Sequence, residues 1–298
     1  MSRDEYNIRR GTAADIRAAF DVSMLAVKDL FVRQGIEWRL EPEKFWKVLE
    51  LYLVHLSEHA AEWCVAEDRA NGELIGYARS VERGGLFELS ELFVRPDRQS
   101  AGLGKVLLEN VFPSGRGEVR VIIATNDRRG MARYYGAGTV ARFAMFSLTG
   151  KPRRTEAGTL DVVPAAPADI NELAAIERAV VGYARCADYP WLLKHREVYK
   201  YRRAGRTVGF GCFSETAQGP IVALEPDDQP AILLHLESLA ADRGMEDLSF
   251  EVPSINSVVM HHLLERRYKI DSPSNLLMSS KDFGRFDRFV AFAPAIVL

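Results

Sequence analysis

Little in this 298-residue chain marks a specialised environment, and each scarcity excludes a class of protein. There are only three cysteines, Cys64, Cys186 and Cys212, far apart and with no CxxC pair, so neither a disulfide framework nor a cysteine zinc site is written here. No apolar run approaches the roughly 18 residues that a membrane span requires, and the opening MSRDEYNIRR has charge without the apolar centre of a signal peptide. Charge of one sign is also missing. A net charge of −2 leaves no electrostatic footprint for nucleic acid over the whole chain. The expectation is a cytoplasmic protein with no membrane and no nucleic-acid partner, reduced thiols and no resident metal.

What the chain does have is a regular alternation of strand and helix signals. Tyr6 to Arg10 reads as a strand, and Thr12 with Asp15 caps a helix carrying Ile16, Phe20, Met24, Leu25 and Val27. A second helix opens near Pro42 and carries Phe45, Trp46, Leu49, Leu53 and Leu56, with His55 and His59 as a surface pair. Trp63 to Glu67 and Leu74 to Val81 read as strands joined at Asn71-Gly72, a hairpin signal. Val119 to Thr125 is a β-branched run suited to a strand buried on both faces, followed by a short helix and a last strand, Val140 to Leu148.

The centre of the pattern is ELSELFVRPDRQSAGLGKVLL, Glu88 to Leu108. Its first half is a buried strand stopped at Pro96, and its second half opens a helix at Leu103. Gly102 and Gly104 remove two side chains where that helix begins. A helix start offers unpaired N–H groups and a partial positive charge, so this turn suits an anion that must approach the backbone closely.

The pattern then restarts. TGKPRRTEAG, Thr149 to Gly158, is charged and aperiodic, which places a linker at 151–158 between a first unit over 1–150 and a second over 159–298. At an offset of 154, Ile8, Ala14, Asp15 and Ile16 face Val162, Ala168, Asp169 and Ile170; at an offset of 130, Pro96, Gln99 and Asn126 face Pro226, Gln229 and Asn256. At that second offset Gly102 faces Ile232, Gly104 faces Leu234 and Tyr134 faces Leu264, so the second copy lacks the glycine turn.

QSAGLG, Gln99 to Gly104, resembles the QxxGxG signature of the GNAT superfamily of acyl-CoA-dependent N-acetyltransferases, with LFVRP ahead of it, KVLL behind it and a later strand-Asn-helix-Tyr segment at the family's distance. Residues 6–148 carry the match, and residues 159–298 resemble the degenerate C-terminal GNAT-like domain of some bacterial members. The resemblance implies an α/β (α+β) fold of two tandem GNAT-like domains, each a mixed, mostly antiparallel sheet flanked by helices. It implies acetyl-CoA as co-substrate and a small-molecule amine as acceptor, and it leaves a homodimer open.

Residue by residue, it puts the pyrophosphate on Gln99, Ser100, Ala101, Gly102, Leu103, Gly104 and Lys105, and the pantetheine arm on the backbone of Leu92, Phe93 and Val94. Acyl transfer to an amine needs a proton acceptor, because a group of reference pKa near 10.4 is neutral about once in 2,500 molecules at pH 7. Glu88, 11 residues before Gln99, leads for that role, with Glu91 as the alternative; strand alternation predicts that the two lie on opposite faces. Tyr134, or its neighbour Tyr135, is the donor for the leaving thiolate, and Asn126 is a coenzyme contact or a helix cap. The rival reading is an acyl-CoA or CoA sensor without turnover.

Overall fold

The computed structural model describes residues 5–155, 158–271 and 274–293; Glu156 and Ala157 of the expected linker lie outside them. The described chain divides into two compact units, one running to Val140 and including Met278–Lys281, the other holding the remainder.

In the first unit the elements run β1 (Tyr6–Arg10), α1 (Ile16–Arg33), α2 (Pro42–Glu58), β2 (Ala60–Asp68), β3 (Leu74–Arg83), β4 (Leu86–Val94), α3 (Leu103–Val111), β5 (Val119–Thr125) and α4 (Arg128–Gly136). This is the order that the periodicities predict. β1 to β4 pair antiparallel in sequence, and β5 joins β4 in parallel. The start signals act as expected: the Asp15 carboxylate accepts from the Thr12 N–H at 2.8 Å, Pro42 opens α2, and Gly72 turns the β2–β3 hairpin at φ 75°. One sheet face packs on α3, whose Leu103, Leu107, Leu108 and Val111 meet Ala78, Phe87, Leu89 and Ile122.

The other face carries polar groups. Tyr77, Arg79 and Glu91 are buried there, and Arg79 donates to the Leu53 carbonyl of α2 at 3.2 Å. The register explains how Glu91 comes to be on it. Arg79 faces Glu91 and Ser80 faces Leu89, so Ser90 is an extra residue, a β-bulge. The bulge breaks the alternation that separated the two glutamates. Glu88 opposite Val81 and Glu91 opposite Arg79 therefore lie on one face, contrary to the strand-alternation expectation.

After β6 (Val140–Gly150), the second unit repeats the order as β7 (Asp161–Pro164), α5 (Ile170–Val181), α6 (Tyr189–His195), β8 (Glu197–Arg203), β9 (Arg206–Phe213), β10 (Ile221–Ala223), α7 (Gln229–Asp242), β11 (Leu248–Pro253) and α8 (Ser257–Glu265). The duplication extends to the caps. Asp169 accepts from the Ala166 N–H at 2.8 Å, as Asp15 does from Thr12. β12 (Lys269–Ile270), β13 (Asn275–Ser279) and β14 (Phe289–Val290) follow.

Met278–Lys281, although far along the chain, completes the first unit. Met278 is fully buried in that core, Ser280 N–H donates to the Arg120 carbonyl at 2.9 Å, and the Arg120 N–H donates to Ser280 Oγ at 3.0 Å. A fragment of residues 1–150 lacks this segment. Loss of the buried methionine alone costs about 2–5 kcal/mol, so the fragment is expected to show no cooperative thermal transition by circular dichroism, in contrast to the full chain.

Candidate active site

The bulge at Ser90 also decides where the sheet opens. β4 pairs with β5 only from Leu86 to Leu89, opposite Val119 to Ile122. Beyond that point the two strands part, and Leu92, Phe93 and Val94 line one side of a cleft whose other side begins at Thr125. Ala26, Val27 and Leu30 of α1 cover it. A strand that has left its ladder keeps N–H and C=O groups in need of partners, so this edge is suited to an extended ligand.

At the wide end lies the predicted turn. Ser100 and Gly102 hold positive φ, 65° and 88°, and at Gly102 a side chain would be strained although nothing lies within 4 Å. A Cβ on Gly104 would sit 3.7 Å from Val94 and the Arg133 guanidinium, filling the floor of the cleft. The N–H of Lys105 is used inside the turn, donating to the Gly102 carbonyl at 3.0 Å, and its ammonium stays exposed beside Glu109. The N–H groups ahead of it, Ala101 to Gly104, stand at the start of the helix. Gln99 supports the turn from its side chain, with Nε2 donating to the Val94 carbonyl at 2.9 Å.

Two cations stand over this helix start that sequence reasoning did not select. Arg129 and Arg133 of α4 both line the cleft, and Arg129 Nη1 donates to Gln99 Oε1 at 2.9 Å. Their signal was present in DRRGMARYY, where two arginines four apart share a helix face. Asn126 is corrected: the cap of α4 is Asp127, whose Oδ1 accepts from the Arg129 N–H at 2.9 Å, while Asn126 is exposed and offers its backbone carbonyl to Gln34. Asp127 lines the cleft and Asn126 does not.

Tyr134 faces the cleft, with its ring against Gly130, where a Cβ would meet it at 3.2 Å. Burial pushes its phenol up to about 12, Arg133 pulls it down and Asp127 adds to the rise. Tyr135 is half exposed and lines none of the cleft. Glu88 is buried on the part of β4 that still pairs with β5, and it does not line the cleft either. Glu91 is committed: Tyr77 donates to it at 2.8 Å and Arg79 Nε lies at 3.3 Å, with the guanidinium 4.5 Å from the Trp63 ring. The histidine pair is corrected as well. His55 is buried, its ring 4.3 Å from His59, and no group of three metal-ligating side chains occurs among the described residues.

In the second unit the corresponding opening is filled by the chain itself. β14 pairs with β10 at Ile221–Val290 and Val222–Phe289, and the Ala291 N–H donates to the Glu251 carbonyl of β11 at 2.8 Å. Gln229 and Asn256 hydrogen-bond to each other at 2.8 Å in full burial.

Residues 25–138 match the model of the acetyltransferase (GNAT) family. Among solved structures, a Pyrococcus horikoshii protein named as an acetyltransferase aligns with TM-score 0.74 at 16% identity over 97% of this chain and 94% of its own. A GCN5-related N-acetyltransferase from Sphaerobacter thermophilus aligns at 0.60 and 14% identity over 94% and 96%. A tandem GNAT protein from the clavulanic acid biosynthesis pathway aligns at 0.58 and 13% identity over 92% and 98%. At these identities the likeness is one of fold. No curated protein matches the sequence.

Two outcomes are expected from this geometry. Glu91→Ala leaves Arg79 buried without its counter-ion and should cost on the order of 3 kcal/mol in urea unfolding. Arg133→Ala removes a cation from the turn and should weaken coenzyme A binding about tenfold by calorimetry, with the melting temperature unchanged.

Proposed function

We propose that this chain, whose residues 25–138 match the model of the acetyltransferase (GNAT) family, transfers an acetyl group from acetyl-CoA directly to a primary amine of a small-molecule acceptor. One observation carries the reading: the parted β4 edge, the glycine turn with two arginines and a protonated phenol all converge on one cleft. The residues fit the co-substrate along its length. N–H groups of Ala101 to Gly104, with Arg129 and Arg133, would hold the pyrophosphate. Backbone groups of Leu92 to Val94 would pair with the pantetheine amides. Acetyl-CoA, when bound, supplies an activated acyl carbon and a thiolate leaving group.

The chain's own residues then have two proton tasks. Glu88 accepts the proton of the incoming ammonium by way of water, since it sits deeper in the sheet than the cleft lining. Glu91 is the lesser candidate, because Arg79 and Tyr77 already hold its carboxylate. Tyr134 donates to the sulfur. Its phenol is protonated below about 12, so it stays a donor throughout the working range. Direct transfer is favoured because none of the three cysteines lines the cleft: Cys64 and Cys212 are buried, and Cys186 is exposed in the second unit. The second unit, degenerate in this reading, holds no coenzyme because β14 and Ala291 fill its opening.

Turnover of acetyl-CoA against an amine panel, followed by thiol release, tests the reading. Tight coenzyme A binding with no thiol release for any amine would favour the sensor. Glu88→Gln should lower kcat by about a hundredfold or more and Tyr134→Phe by about tenfold to a hundredfold, with KM for acetyl-CoA little changed. The wild-type rate should show no falling limb from phenol ionisation between about pH 8 and 10. Unchanged kcat in both variants at every pH would remove both assignments.

A further inference from the structure

We infer that Arg129 is a positioning residue that makes the placement of Tyr134 depend on phosphate at the glycine turn. The inference rests on the acyl-CoA reading above and adds a coupling between the two ends of its cleft.

The anchorage of α4 is the starting point. None of its nine residues is fully buried and only Met131 and Tyr134 pack against the core, whereas α3 sinks Leu103, Leu107, Leu108 and Val111 into it. With so little apolar anchorage, polar ties at its N-terminal end set its orientation. Asp127 caps the helix and is held by Arg33 of α1 at 3.0 Å. Arg129 donates to Gln99 Oε1 at 2.9 Å, and Gln99 donates to the Val94 carbonyl at 2.9 Å. A continuous run of hydrogen bonds therefore joins the parted strand to the first turn of α4. Tyr134 follows five residues later, its ring against Gly130, and Arg133 Nη1 reaches back to the Arg129 carbonyl at 3.2 Å. Arg129 and Tyr134 are linked by little more than one helical turn, so a displacement of one is passed to the other.

The partner of Arg129 is the weak point of this run. An exposed guanidinium is bonded to a neutral amide oxygen beside a helix start built for an anion. Charge-assisted bonds to phosphate are roughly twice as strong as bonds to a neutral acceptor. Pyrophosphate at Ala101 to Gly104 draws Arg129 off Gln99, and α4 carries Tyr134 with it. In the second unit the glutamine at the matching position has a different partner, and Val259 stands where the first unit has Arg129. There the matching Gln229 bonds to the helix-capping Asn256 at 2.8 Å, both amides fully buried and further held by the Asp287 and Phe289 carbonyls. No anion can exchange with that pair.

The test uses the full chain labelled with 3-fluorotyrosine, the Tyr134 resonance being assigned by its loss in Tyr134→Phe. Saturating coenzyme A should shift that resonance in the wild type, and saturating pantetheine, which lacks the phosphates, should not. Arg129→Ala should bind coenzyme A about tenfold more weakly yet lose the shift at saturation. Arg128→Ala, which removes the same charge from the same helix, should keep it. In turnover, Arg129→Ala should lower kcat with acetyl-CoA about tenfold, and the kcat ratio of acetyl-CoA to acetyl-pantetheine should fall towards one. A full Tyr134 shift in saturated Arg129→Ala, or a change in KM alone, overturns the inference and leaves the acyl-CoA reading standing. Absence of coenzyme A binding to the wild type by calorimetry overturns both.

Discussion

The loss of pairing between β4 and β5 beyond Leu89 is the constraint on which the first unit depends. Backbone groups without partners cost free energy when buried, so two parallel strands do not part without cause. Here the extra residue at Ser90 re-aims the strand, and α1 covers the opening with Ala26, Val27 and Leu30 instead of a neighbouring strand. The groups so exposed face the one place in the unit where a helix start, two arginines and a desolvated phenol meet. Binding and chemistry share one irregularity in an otherwise regular sheet.

The same bulge shapes the electrostatics behind the cleft. By bringing Glu91 onto the face of Arg79 and Tyr77, it creates an ion pair buried under α1 and α2, an arrangement that contributes little net stability but penalises any other register strongly. A one-residue slip of β4 would separate the charges inside the protein. The bulge is thus held by what it brings together.

The two units show what one element order does with different fillings. In the first the opening is left to a ligand; in the second β14 and Ala291 supply the missing hydrogen bonds from the chain. Ile232, Leu234 and Leu264 stand where the first unit has Gly102, Gly104 and Tyr134, and two of them could not line a phosphate site, since Ile232 is fully buried in the core and Leu234 is a bulky side chain inside α7, past its first turn.

Much of this was legible in the sequence, because periodicity, capping residues and Asn-Gly or glycine turns are local signals. The element order of both units, the start of α3 at Leu103 and the placement of Tyr134 on a short helix follow from neighbours within a few residues. What depends on partners far along the chain was not legible. The bulge at Ser90 exists only in the register against Arg79 and Ser80, so alternation put Glu88 and Glu91 on opposite faces when they share one. Asp127 rather than Asn126 caps α4, and its other carboxylate oxygen is held by Arg33, 94 residues earlier. Met278–Lys281 joined the first unit through Arg120, a contact no spacing announces. The glycine turn between Glu88 and Leu108 was determined by the sequence itself, since positive φ at Gly102 is a property of that residue; that the strand before it opens into a cleft was decided by the tertiary structure, since an opening is defined by the pairing that a strand does not make.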